Sequence, residues 1–125
     1  MILGFKKQFT EKILRGTKIH TIREDKHNRW DVGKRIDFAT GVRTKLYECF
    51  LVGICEGIQY IHIEHVIDGI GIVVFVKYKQ GWRMLTDNEI MKLVQNDGFD
   101  TLEEFKQWFD KDLIGKIIHW TNLKY

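Results

Sequence analysis

Apolar positions near the start of the chain follow a helical period. Phe9, Ile13 and Leu14 fall on one stripe of a helix spanning about Phe9 to Arg15, and Gly16 supplies its left-handed stop. From Ile19 the period shortens to two, with Ile19, Thr21 and Arg23 on one face and His20 and Ile22 on the other, which predicts a strand. The stretch Glu24 to Lys34 is a charged loop, interrupted by Trp30 and closed by Gly33. Arg35-Ile36-Asp37-Phe38-Ala39 then reads as a second strand, ended by a turn at Gly41. Three longer runs, Leu46 to Cys55, Tyr60 to Val66 and Gly71 to Tyr78, are bounded by Gly, Asp or Lys-Gln-Gly turn chemistry and predict a curved antiparallel sheet.

Near Thr86 the period changes again. Thr86-Asp87-Asn88-Glu89 has the form of a capping box, and Ile90, Met91, Leu93 and Val94 continue at helical spacing to Gln95. After Asn96-Asp97-Gly98-Phe99, a further helix opens with Asp100 or Thr101 as its cap and Leu102, Phe105, Trp108 and Phe109 inward. Lys116 to Leu123 returns to strand character and would close or flank the sheet. The sum is α+β: a small, mostly antiparallel β-barrel with two to three packed helices.

Composition narrows this picture to one domain over residues 1–125. The chain has no proline, no linker-like stretch and no internal repeat. Its 125 residues suffice to bury roughly two-thirds of the unfolded surface, and 44% hydrophobic content with 8 Phe, 4 Tyr and 4 Trp predicts a packed core. Apolar runs such as Ile70 to Val76 are far short of the roughly 20 residues that cross a bilayer, so no membrane partner is expected. Met1-Ile2-Leu3-Gly4-Phe5-Lys6-Lys7 lacks the features of a signal peptide, which points to the cytoplasm. There Cys49 and Cys55, sharing parity on one strand, are expected to be buried free thiols. Charge is uneven. Residues 1–50 carry 12 basic and 6 acidic side chains, net +6, and residues 51–125 carry 8 and 11, net −3. The first half therefore suits an anionic ligand such as a phosphate backbone.

Gly16-Thr17-Lys18-Ile19-His20-Thr21-Ile22-Arg23 packs Lys, His, Thr and Arg behind a helix stop. A threonine becomes an acyl-transfer nucleophile only if another group takes its proton. A lysine can do so when burial or a nearby cation lowers its pKa, and Arg23 or His20 could supply that cation. Lys18 and Thr21 would lie on opposite faces of a strict strand, so the pairing requires Lys18 to sit in the turn after Gly16. The competing reading is an ordinary strand threonine with Lys18, His20 and Arg23 along a solvated edge.

The spaced residues Phe9, Ile13-Leu14, Gly16, Lys18, Thr21 and Arg23, then Trp30, Gly33, Ile36 and Phe38, resemble the ASCH domain family, small β-barrels related to the PUA fold of RNA-modifying proteins. Asp97-Gly98-Phe99 with Leu102-Glu103-Glu104-Phe105 resembles that family's acidic-Gly-Phe turn and downstream helix, so the resemblance spans nearly the whole chain. It implies a protein that binds a nucleoside or an RNA element, either as a non-catalytic RNA-binding module or as an enzyme. One branch has threonine three residues after the lysine, as here, and hydrolyses the amide of N4-acetylcytidine to cytidine and acetate. Carried over by position, Thr21 would be the nucleophile, Lys18 its base and Asp97 the proton shuttle. Asp97 stands where that branch has glutamate, one methylene longer, and a misplacement of about 1 Å can lower a rate on the order of a hundredfold. Glu103 or Glu104 is a poorer substitute, better placed to cap or solvate its helix. Arg23 would hold a substrate oxygen or position Thr21. Trp30 would either stack on a base or pin its loop to the barrel.

The implied hydrolysis uses neither metal nor cofactor. His62-Ile63-Glu64-His65 invites a metal reading, but on a strand His62 and Glu64 face one way and His65 the other. His27 in the charged loop and His119 in the last strand read as surface or core histidines. No phosphate-loop glycine pattern, Cys-x-x-Cys or Gly-x-Ser-x-Gly occurs.

Overall fold

A computed structural model describes residues 1–66, 71–79 and 81–125. Gln80 of the Lys-Gln-Gly turn and the Asp-Gly pair at 68–69 lie outside the described residues. The strands are β1 (Ile2–Gly4), β2 (His20–Arg23), β3 (Arg35–Thr40), β4 (Glu48–Ile54), β5 (Gly57–His65), β6 (Ile72–Tyr78), β7 (Gly81–Met84) and β8 (Leu113–His119). The α-helices are α1 (Thr10–Leu14), α2 (Asp87–Asn96) and α3 (Leu102–Trp108).

The fold is α+β, as the sequence predicts, but its strands form two ladders. One sheet has the order β1-β3-β4 and the other β2-β8-β5-β6-β7. Among the described residues no ladder joins them, so the strands form two sheets that are not closed into a barrel. All pairings are antiparallel except β1 with β3, where Ile2, Leu3 and Gly4 run parallel to Asp37, Phe38 and Ala39. The core draws Ile36 and Phe38 from the smaller sheet, Ile61, Ile63, Val74, Val76 and Ile117 from the larger one, and Leu93, Val94 and Phe105 from the helices.

The first helix is shorter than its stripe suggests. Lys7–Phe9 form a 3-10 turn, α1 follows, and Leu14 is exposed rather than inward. At its end the Thr17 and Lys18 N–H groups both donate to the Lys12 carbonyl (2.9 and 3.0 Å), with Gly16 at φ 78° making the turn. That tie leaves Lys18 outside β2.

Other corrections have local causes. The β3–β4 ladder changes register between Phe38 and Ala39, placing one extra residue, Phe50, on the β4 side. Parity carried back from Cys55 therefore fails at Cys49, and Cys49 is exposed while Cys55 is buried. β8 starts at Leu113 and ends at His119, rather than running from Lys116 to Leu123, because its ladder with β5 begins at the Ile63–Leu113 pair. Trp108 is 43% exposed, not core; its ring lies edge-on against Phe9 and Phe99 at the surface.

Helix α2 is fixed at both ends. Thr86 and Glu89 close the reciprocal capping box at its start. At its other end Gly98 N–H donates to Gln95 O and Phe99 N–H to Val94 O, with Gly98 at φ 95°, which is a Schellman motif. This turn docks on the segment before β2, since Ile19 N–H donates to Asn96 O (2.9 Å).

Candidate functional site

A cavity of ≈ 380 Å³ opens where β1, β2 and the α2–α3 turn meet. Lys18, Thr21, Arg23 and Asp97 line it, and its walls include Phe5, Phe9, Phe99 and Trp108. Residues far apart in sequence thus converge on one space. The side chains of Lys18 and Asp97 are each 2% exposed, and Thr21 is 5% exposed. β2 is an edge strand, but it is not the solvated edge of the competing reading.

Each group is held by identifiable contacts. Lys18 Nζ donates to the main-chain carbonyl of Asp97 (2.5 Å) and to its Oδ1 (3.3 Å). Lys12 Nζ donates to the neighbouring Gly98 carbonyl (2.7 Å), so two lysines meet the carbonyl-rich end of α2, where cations are favoured. The Lys18 ammonium also lies over the rings of Phe9 and Phe5, at 4.8 and 5.7 Å. Arg23 Nε donates to Thr21 Oγ1 (3.2 Å), and Arg23 Nη2 donates to the Gly4 carbonyl (2.6 Å), linking the two sheets. Gly98 is fixed by space as well as by φ, because a Cβ there would lie 2.9 Å from Lys18 Cδ.

Burial is the leading cause of the electrostatic shifts. It lowers the Lys18 pKa, against the pull of Asp97, while Arg23 and Lys12 add to the lowering. It also lowers the pKa of His20, whose ring is fully enclosed, against the pull of Asp97, and so disfavours its cationic form. His119 is pushed down to about 3 by burial, then by His20 and Lys124.

Of the five residues singled out in the sequence, four line the cavity and Trp30 does not. Trp30 is 7% exposed in the core; its main-chain N–H donates to Asp25 Oδ2 (3.0 Å) and its carbonyl accepts from Lys116 Nζ (3.3 Å), which pins the loop. His62 pairs with Glu64 (3.3 Å), while His65 Nε2 meets the Phe109 carbonyl (2.5 Å) on the other side of its strand. Glu104 N–H is capped by Thr101 Oγ1, and Glu103 pairs with Lys106, so both glutamates serve α3.

Behind the cavity, Tyr125 escaped the sequence reading, and His20 was singled out there only as a possible cation beside Lys18. His20 Nδ1 is 3.1 Å from Asp97 Oδ1, and His20 Nε2 is 2.6 Å from the hydroxyl of Tyr125, whose oxygen accepts from Asn96 Nδ2 (2.9 Å). Only the position of His20 on the inward face of β2 hinted at this. Tyr125 carried no local signal.

The arrangement offers a hydroxyl oriented by a guanidinium, a lysine whose pKa is lowered by burial, a carboxylate within proton-transfer reach of that lysine, and aromatic walls suited to a planar ring. No protein-family model, curated protein or solved structure matches this chain.

Proposed function

We propose that the chain is an ASCH-like domain that binds a nucleoside and hydrolyses the amide of N4-acetylcytidine without a metal ion. The observation that carries this reading is the convergence of Lys18, Thr21, Arg23 and Asp97 on one aromatic-walled cavity. In the proposed cycle a proton passes from Lys18 Nζ to Asp97 Oδ1, 3.3 Å away, leaving a neutral amine. Thr21 Oγ attacks the acetyl carbon while its own proton goes to Lys18. The C–N bond then breaks, and N4 takes that proton as cytidine leaves, with the acetyl group held as an ester on Thr21. Water adds to the ester carbonyl, and acetate departs. The proton lost by water returns through Lys18 to Thr21 Oγ. Arg23 keeps one lone pair of the hydroxyl engaged, which directs its proton away from the guanidinium.

Aspartate suffices in the shuttle role because the cap of α2 brings its main-chain carbonyl and its carboxylate to the same lysine, so the shorter side chain needs no further reach. The test is incubation with N4-acetylcytidine and chromatography for cytidine, with Thr21→Ala and a chelator-treated sample alongside. The expected result is turnover that survives chelation and disappears with Thr21→Ala. No turnover at high enzyme concentration overturns the hydrolase, and RNA affinity measured across a salt series then tests the non-catalytic RNA-binding module.

A further inference from the structure

We propose that His20 and Tyr125 are positioning residues of this site: the Tyr125 hydroxyl fixes His20 as the tautomer protonated on Nδ1, and His20 in turn holds the Asp97 carboxylate beside Lys18. The proposal rests on reading Lys18 and Asp97 as the acid–base pair. Its basis is the direction of the hydrogen bonds around the ring. Asn96 Nδ2 can only donate, so the Tyr125 oxygen accepts from it (2.9 Å), and the single phenolic proton is left for His20 Nε2 (2.6 Å). A nitrogen that accepts from Tyr125 carries no proton, which places the imidazole proton on Nδ1, facing Asp97 Oδ1 (3.1 Å). The opposite tautomer would set a lone pair against an ionised carboxylate in a fully buried space.

Asp97 Oδ1 is therefore held from two sides, by Lys18 from the cavity and by His20 from behind it. Residue 125 is itself anchored. The Gln59 amide donates to its carbonyl (3.0 Å) and accepts from its N–H (2.9 Å), a pairing that resembles one rung of a ladder. The same Gln59 oxygen accepts from His119 Nε2 (2.9 Å), whose ring packs edge-on against His20. The groups around His20 are thus Asp97, Tyr125 and neutral His119, with Lys18 reached through Asp97.

The experiment compares the wild-type chain with Tyr125→Phe and with His20→Asn, whose amide N–H can stand in for the Nδ1–H. Nitrogen-15 NMR of the ring reads the His20 tautomer, carbon-13 NMR reads the titration of the Lys18 side chain, and kcat and KM are measured on N4-acetylcytidine. The wild type is expected to show the single Nδ1–H tautomer at neutral pH. Tyr125→Phe is expected to lose that lock, to shift the Lys18 titration, and to lower kcat about tenfold with KM unchanged, as losses of supporting hydrogen bonds do. His20→Asn is expected to retain more kcat than His20→Leu. A wild-type His20 protonated on Nε2, or doubly protonated at neutral pH, overturns the proposal even if no variant folds, as does a Tyr125→Phe protein whose tautomer and Lys18 titration match the wild type. Absence of turnover in the wild type defeats the hydrolase reading alone, because both NMR readouts still decide the positioning role.

Discussion

Lys18 and Lys116 are both buried against an aspartate, and the contrast between them separates a structural pin from a candidate reactive group. Lys116 Nζ donates to Asp25 Oδ2 (2.8 Å), to Asn28 Oδ1 and to the Trp30 carbonyl, one acceptor for each of its three protons. Asp25 is met in turn by the N–H groups of Arg29 and Trp30 (2.9 and 3.0 Å). Burial alone would raise the Asp25 pKa, but these donors outweigh it and hold the carboxyl below its usual range. Lys18 has two acceptors among the described residues, both on Asp97, and its remaining surroundings are phenyl rings and open cavity. A buried lysine with every proton engaged staples a loop to a strand. One left partly unsatisfied at the wall of a cavity can exchange a proton with what enters.

On the cavity side, replacing the lysine should remove the chemistry of the chain that remains folded. In the folded fraction, Lys18→Met should lower turnover of N4-acetylcytidine by about a thousandfold, the range of lost acid–base assistance, and it should also cost stability, because it removes one partner of a buried pair. Steady-state kinetics with circular dichroism checks this, and a variant within tenfold of wild type would place the base elsewhere.

Lys116→Met should cost stability and leave the chemistry intact. Removing one partner of a buried pair costs about 3–5 kcal/mol, so urea unfolding should show a large loss while the folded fraction keeps its turnover. Equal losses of activity and stability in both lysine variants would erase the distinction.

Acidification acts on both regions through a third group. The folded-state pKa of His119 lies below its unfolded value, so between about pH 6.5 and about 3 the unfolded chain binds a proton that the folded chain refuses. Stability therefore falls as pH drops through this window, by on the order of 3 kcal/mol at pH 4 from His119. The depressed Asp25 pKa has the same sign: its contribution is present above the unfolded carboxyl value and is lost below it. His119→Gln should flatten the slope measured by thermal unfolding, whereas an unchanged slope would assign the acid sensitivity to other groups.

A subtler change at the cavity wall tests how closely Lys18 must be held. Gly98→Ala combines φ 95° with a Cβ only 2.9 Å from Lys18 Cδ, and should cost about 1–2 kcal/mol together with a measurable fall in kcat. A stability loss with kinetics intact would mean that Lys18 tolerates displacement.

Features that were legible in the sequence are those whose causes are local. The Thr86–Glu89 box is set by two residues three positions apart, and the Asp97-Gly98-Phe99 turn by a glycine that can adopt positive φ. The alternation around Thr21 was readable too, as was the need for Lys18 to precede the strand. Other features depend on remote partners. β1 is three residues long, too short for a period to register, and exists by pairing with β3. Trp108 has the spacing of a core position, yet it covers the edge of the Phe9 and Phe99 rings and remains half open. Trp30 could have served a ligand or a loop, and of the contacts that pin it, Asp25 lies in its own loop but Lys116 is 86 positions away. Tyr125 reaches His20 across 105 positions, a distance at which no periodicity carries information.

Those separations bear on how the chain acquires its chemistry in time. Joining Lys18 to Asp97 closes a loop of 79 positions, and joining His20 to Tyr125 closes one of 105. Contacts of such span form slowly, after local helices and hairpins. A collapsed intermediate that already has α2 and the β5–β6 hairpin would still lack an assembled cavity, so recovery of function in a refolding experiment should trail the recovery of helical signal. The cavity is complete only with the last cooperative step, and a half-folded chain does not bring Lys18 and Asp97 together.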